Sequence, residues 1–138
     1  MARDRFELPH NPSSCGMARR RARVLLQRAA VGEDRAESAL LVLSELVANA
    51  IEHAEPQVTV ELTLRAQKGT SGRCLHIRVH DGGCRRPVGD GDRDGTSERD
   101  ADDVERGRGQ TVVAALASAC GRYATVRSAV TWAVIDCV

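Results

Sequence analysis

The stretch LVLSELVANAIEHA, running from Leu41 to Ala54, places Glu45, Asn49 and His53 at steps of four inside an otherwise apolar segment. Four residues is slightly more than one helical turn, so these three polar groups share one face of a helix. Leu40, Leu43, Val47, Ala50 and Ile51 cover much of the remainder. A buried carboxylate and amide would be costly without partners, so the helix reads as one that presents oxygen ligands to something.

Working outward, this helix is expected from about Asp34 to Ala54, after the break at Gly32 and before Pro56. Upstream, a short strand at Arg5 to Leu8 ends at Pro9 and Pro12, and Ser13 or Ser14 can cap a first helix near Cys15 to Ala30. The run Arg19, Arg20, Arg21, Arg23 on that helix offers a phosphate patch or a solvated face; the balanced net charge favours the solvated face.

Downstream, Val58, Val60, Leu62 and Leu64 alternate with Thr59, Glu61, Thr63 and Arg65, the period of a half-covered antiparallel strand. After a turn at Gly69 to Gly72, Leu75, Ile77 and Val79 alternate with His76, Arg78 and His80. The same count puts Asp81 on the buried face, where its carboxylate needs a donor that no sequence neighbour obviously supplies. The polar stretch 84–106 is too hydrophilic for a core and reads as a mobile lid. A third helix is expected after the glycines at 107 and 109, with Val112, Val113, Leu116 and Cys120 inward and Gly121 ending it. Strands near Arg122 to Arg127 and Val130 to Val138 close the chain, the last apolar on both faces and therefore central. The order predicts one domain over 1–138, an α+β two-layer sandwich with a mixed, mostly antiparallel sheet and helices on one face.

Composition excludes several classes. A formal charge of +1 over 138 residues gives no global attraction to nucleic acid or membrane. No apolar run reaches the roughly 18 residues of a membrane span, and the N-terminus lacks a signal-peptide core, so a cytoplasmic protein is expected. The five cysteines form no CxxC pair; Cys74, Cys84, Cys120 and Cys137 read as small buried hydrophobes rather than metal ligands. Asp90, Asp92, Asp94 and Gly95 imitate the first half of a calcium loop, but its twelfth position is Ala101 rather than a bidentate glutamate.

Three separated pieces point at one ligand. Asn49 can offer an amide oxygen to Mg²⁺, which takes oxygen ligands and keeps waters, while Glu45 one turn earlier can take a proton. Asp81 can accept from the exocyclic amino group of adenine, where guanine offers an acceptor. Gly83 permits close approach of a base, and Gly107 and Gly109 free amides at the start of the third helix for phosphate.

These residues resemble the GHKL ATPases, and within them the short bacterial anti-sigma factor and serine kinase branch. ELVANAIEH is similar to the N box, VHDGG to the adenine box, and RGRG to the glycine box that ends the ATP lid. The resemblance implies a Bergerat-type fold binding ATP and Mg²⁺. It makes Glu45 the general base, Asn49 the Mg²⁺ ligand, Asp81 the adenine reader, and Gly83, Gly107, Arg108 and Gly109 base and phosphate contacts. His53 takes the place of a histidine near the phosphates or simply faces the carbonyls ending its helix. The family commonly has a threonine near adenine on the last strand; aligned on Trp132 that place is Val130, and Thr131, one step on and expected on the other face, is the candidate nucleotide contact there. Arg85 stands where a second adenine-box glycine is usual, and Gln110 and Thr111 where an apolar residue is usual.

The implied function is an ATP-binding anti-sigma-type regulator that phosphorylates a serine or threonine of an anti-anti-sigma (STAS-type) partner, with sigma factor as a further partner and homodimerisation expected. The alternative is a non-catalytic partner-binding module with weakened or lost ATP binding. A sensor histidine kinase catalytic domain ranks third, because no phospho-accepting helix pair precedes the domain and His10, between Pro9 and Pro12, belongs to no helix.

Overall fold

The computed structural model describes residues 1–83, 108–125 and 127–137. The elements run β1 (Ala2–Leu8), α1 (Ser14–Arg28), α2 (Glu33–His53), β2 (Val58–Ala66), β3 (Arg73–Asp81), α3 (Arg108–Leu116), β4 (Ala119–Ala124) and β5 (Ala129–Asp136). The sheet order is β1-β2-β3-β5-β4. Each of its four pairings is antiparallel, so the parallel pair of a mixed sheet is not found among the described residues.

The period-2 segments fold as the alternation requires. Val58, Val60, Leu62 and Leu64 of β2 lie opposite Leu8, Phe6, Asp4 and Ala2 of β1, and opposite Val79, Ile77 and Leu75 of β3. Nearly all of these apolar groups are buried, with Val58, Val60, Leu62 and Ile77 fully so. Burying one such side chain contributes roughly 1.5–3 kcal/mol, which fixes the face that the helices must cover. The other face carries Arg5, Glu61, Arg78 and His80. Burial alone would raise the Glu61 carboxyl, but His80 and Arg5 outweigh it and hold it below the usual carboxylate range.

Helix α2 crosses this sheet with Ala39, Leu40, Val42, Leu43, Leu46, Val47 and Ala50 buried. Glu33 and Asp34 in its first turn and His53 in its last complement the helix dipole. Helix α1 packs on it through Ala18, Ala22, Leu25 and Leu26. Ser13 is the N-cap, but its hydroxyl donates to Asn11 and accepts from no helix amide, and the buried Ser14 hydroxyl donates to the Pro9 carbonyl. The four clustered arginines disperse along α1: Arg19 donates to Ser44, Arg21 clasps Asp4, and Arg23 lies 3.9 Å from Glu37.

One element differs from the sequence reading. Helix α3 stops at Leu116, so Cys120 sits exposed on β4 instead of facing inward from the helix, and Gly121 is inside a strand. The amide and hydroxyl of Ser118 both donate to the Val134 carbonyl, at 2.8 and 3.1 Å, and draw the chain onto the sheet. Gly121 also meets a packing need there. A Cβ on it would stand 2.8 Å from Cζ2 of Trp132, whose indole occupies that space. Strand β5 lies between β3 and β4, an interior place that suits its apolar content on both faces.

Candidate functional site

Glu45 and Asn49 stand one turn apart on the outer side of α2, Glu45 half-buried and Asn49 exposed. Their face opens outward instead of into the core, so the cost of burying an amide does not arise. His53 is also exposed, with Nε2 3.5 Å from Glu52; among the described residues no backbone carbonyl accepts from it. The helix ends at the next residue, Ala54, whose carbonyl accepts from Nε2 of His10 at 3.0 Å. His10 thus joins the loop before α1 to the end of α2, a tie that a histidine between two prolines did not announce.

The turn after β3 is bound to that same helix end. Gly82 N–H donates to the Glu55 carbonyl at 2.7 Å, and Glu55 N–H donates to the Gly83 carbonyl at 2.9 Å. A Cβ on Gly82 would fall 2.1 Å from the Pro56 carbonyl oxygen, and Gly83 has φ of 98°. Two adjacent glycines are therefore needed for this crossing of backbones. The chain leaving α2, the helix of Glu45 and Asn49, is thus laced to the turn that leaves β3 after Asp81.

Asp81 is buried, 7% exposed, as the alternation predicts. Its donor is local after all: Gly83 N–H reaches Oδ1 at 2.7 Å, which the turn geometry permits and the linear sequence does not display. Burial pushes the Asp81 carboxyl above its usual range, while the Gly83 amide and the charges of Arg122, His80 and His10 pull it back down without prevailing.

Thr131 is the second correction. In the register it lies opposite Val79 of β3, and Ala129 lies opposite Asp81. Residues directly opposite in an antiparallel pair share a face. Thr131 therefore shares the face of Asp81, while Val130, opposite His80, lies on the far side. Alignment on Trp132 alone places them the other way round. Arg122, opposite Thr131 on β4, shares that face as well and was not anticipated.

Of the glycine-box residues, Arg108 and Gly109 open α3, as expected of a helix N-terminus freed by glycine. Helix α3 packs against α2, and its Val113 is buried in the shared core. Gly107, Arg85 and the calcium-like run 90–101 lie outside the described residues. Cys74 and Cys137 are buried, as expected. No group of three His, Cys, Asp or Glu suited to a metal occurs among the described residues. A groove of about 430 Å³ lies elsewhere, between β1 and α1 around Arg21 and Asp4, and none of the residues above lines it.

Comparison with known proteins accounts for this arrangement. Residues 8–134 match the family model of the histidine kinase-like ATPase domain, and the chain belongs to that family. Membership implies ATP binding. Over 58 residues, 41% of this chain, it is 45% identical to the sensor histidine kinase PdtaS of Mycobacterium tuberculosis and to its counterpart in Mycolicibacterium smegmatis. The chain spans only 11% of the length of those kinases. Among solved structures, the RsbU and RsbW domains of Rv1364c from M. tuberculosis superpose with a TM-score of 0.69 at 15% identity, covering 99% of this chain and 33% of that one. This likeness is one of fold. No helix among the described residues is long and apolar enough to cross a membrane.

Proposed function

We propose that the chain is an ATP-dependent regulator of the anti-sigma type, which transfers a phosphoryl group to a serine or threonine of an anti-anti-sigma partner. The observation that carries this reading is the lacing of Gly82 and Gly83 to Glu55, which sets the buried Asp81 beside the helix of Glu45 and Asn49. The family match supports a nucleotide there, and the RsbW-like fold is compatible with the regulatory branch.

Asp81 accepts the amino group of the base, and Thr131 offers a hydroxyl on the same face. The first amides of α3, at Arg108 and Gly109, donate to phosphate oxygens with the helix dipole behind them. The donor set fits Mg²⁺: one amide oxygen from Asn49, with no cluster of protein carboxylates among the described residues, suits an ion that takes its other ligands from phosphate and water. Bound there, Mg²⁺ supplies charge neutralisation on the phosphates.

Glu45 lacks a hydrogen bond or ion pair among the described residues and is free to accept a proton. As the partner's hydroxyl oxygen bonds to the γ-phosphorus, the bond from that phosphorus to the β–γ bridging oxygen breaks. ADP departs, and the hydroxyl proton passes to Glu45. His53, exposed at the helix end, stands as a phosphate-side contact. Sigma factor and a second copy of the chain complete the expected partners, in the cytoplasm.

The test is phosphoryl transfer from Mg·ATP to an anti-anti-sigma protein by the wild type and by Glu45→Gln. The expected result is a loss of about 10²–10⁴-fold in rate with ATP affinity nearly unchanged, the usual worth of a positioned base. Undiminished transfer by the variant would remove Glu45 from this role. ATP binding with no transfer by the wild type would favour the partner-binding module.

A further inference from the structure

Arg122 has no role in the site as assembled so far, yet its placement is specific. It occupies the helix-facing side of β4 in the row Arg122–Thr131–Val79, and the next row along the same face is Ala124–Ala129–Asp81. Arg122 and Asp81 thus stand two strands and one two-residue step apart. Two spacings of about 4.8 Å and a step of about 6.8 Å separate their backbones by about 12 Å. The side chains between them are small: Ala124, Ala129 and Thr131. A stretch of small residues on one face thus lies between a carboxylate and an arginine.

Arg122 is half-buried and uncommitted. Among the described residues no carboxylate, carbonyl or hydroxyl accepts from Arg122. Arg5, Arg21, Arg23 and Arg78 each have an acidic partner by contrast. The position of its charge is felt at Asp81, which it favours in the ionised form against the effect of burial.

A lone carboxylate facing a purine prefers adenine, because the amino group of adenine donates where guanine presents the acceptor O6. A carboxylate and a guanidinium together have no such preference. With adenine, Asp81 accepts from the amino group and Arg122 donates to N7. With guanine displaced by one atom along its edge, Asp81 accepts from N1–H and Arg122 donates to O6. We infer that Arg122 is a second base-reading residue, and that with Asp81 it opens this site to guanine as well as adenine nucleotides. The inference rests on the reading that Asp81 meets the base of a bound nucleotide.

Calorimetry with ATP, GTP and CTP on the full chain and on Arg122→Met tests it. The wild type is expected to bind ATP and GTP with affinities within about tenfold of each other and CTP more weakly. Arg122→Met should weaken GTP by at least about tenfold, the worth of one hydrogen bond to a charged donor, and ATP by a smaller factor. Thermal melting of the variant, whose altered side chain lies at the sheet edge, verifies that it folds. Wild-type binding of ATP with no detectable GTP would overturn the inference and leave the ATP reading standing. So would an unchanged ratio of the two affinities in Arg122→Met. Binding of neither ATP nor GTP would overturn both.

Discussion

The amide of Gly82 donates to the carbonyl of Glu55 at 2.7 Å, and this bond joins the end of the adenine-box strand to the exit of the N-box helix. The two bonded residues are 27 positions apart in sequence, and the segments that carry them depend on this bond for their relative placement. The contact is made by backbone, so it tolerates no side chain at the crossing.

Gly82→Ala should therefore damage fold and site together. The added Cβ would stand 2.1 Å from the Pro56 carbonyl oxygen and 2.9 Å from that of Glu55, both backbone atoms. Destabilisation beyond about 3 kcal/mol is expected, in the upper range for single substitutions. Chemical denaturation measures it, and a loss below about 1 kcal/mol would mean that the two segments separate easily.

The raised Asp81 sets a pH dependence with two opposite signs. Its folded-state pKa lies above the unfolded value, chiefly through burial. The neutral acid is therefore favoured in the fold, and the stability linked to it is present at low pH and lost as pH rises through the folded pKa. Nucleotide binding runs the other way, because the ionised carboxylate is the better acceptor: ATP affinity should fall as pH drops from neutral through the raised pKa. Asp81→Asn should melt at the same or a higher temperature than wild type at pH 7, bind ATP at least about tenfold more weakly, and lose the acid limb of the binding profile. Retention of that limb would assign it to another group.

The β3–β5 register distinguishes two neighbouring residues. Thr131→Val should weaken ATP by about three- to tenfold, the net worth of one neutral hydrogen bond, whereas Val130→Thr should leave ATP affinity unchanged because Val130 lies on the opposite face. The reverse outcome in titration would show the strand to be shifted by one residue.

Gly121 leaves room for the only tryptophan. In Gly121→Ala the new Cβ meets Cζ2 of Trp132 at 2.8 Å, so the indole must move. A change in its fluorescence emission and a loss of about 1–3 kcal/mol in stability are expected, the usual cost of overpacking. Unaltered emission would mean that the indole is not seated on Gly121.

Much of the fold was legible in the chain because its signals are periodic and local. The four-step spacing of Glu45, Asn49 and His53, the alternation from Val58 to Leu64, and the breaks at Gly32 and Pro56 each depend on neighbours within a turn or a strand. Helix α3 was overextended to Cys120 because Val112, Val113 and Leu116 continue a helical rhythm into that residue. Its true end is set by Ser118 donating to Val134, a partner 16 residues away.

The sequence by itself determined which residue types could serve a nucleotide, and on which elements: an amide and a carboxylate on one helix face, an aspartate at a strand end, a helix opened by glycine. Tertiary structure alone decided which strand residues share a face with Asp81. The pairing of β3 with β5 turned Thr131 toward Asp81 and Val130 away, and the pairing of β5 with β4 brought in Arg122. A strand's alternation reports two faces without saying which is which, and only the partner strand's register, fixed by burial of the core, assigns them.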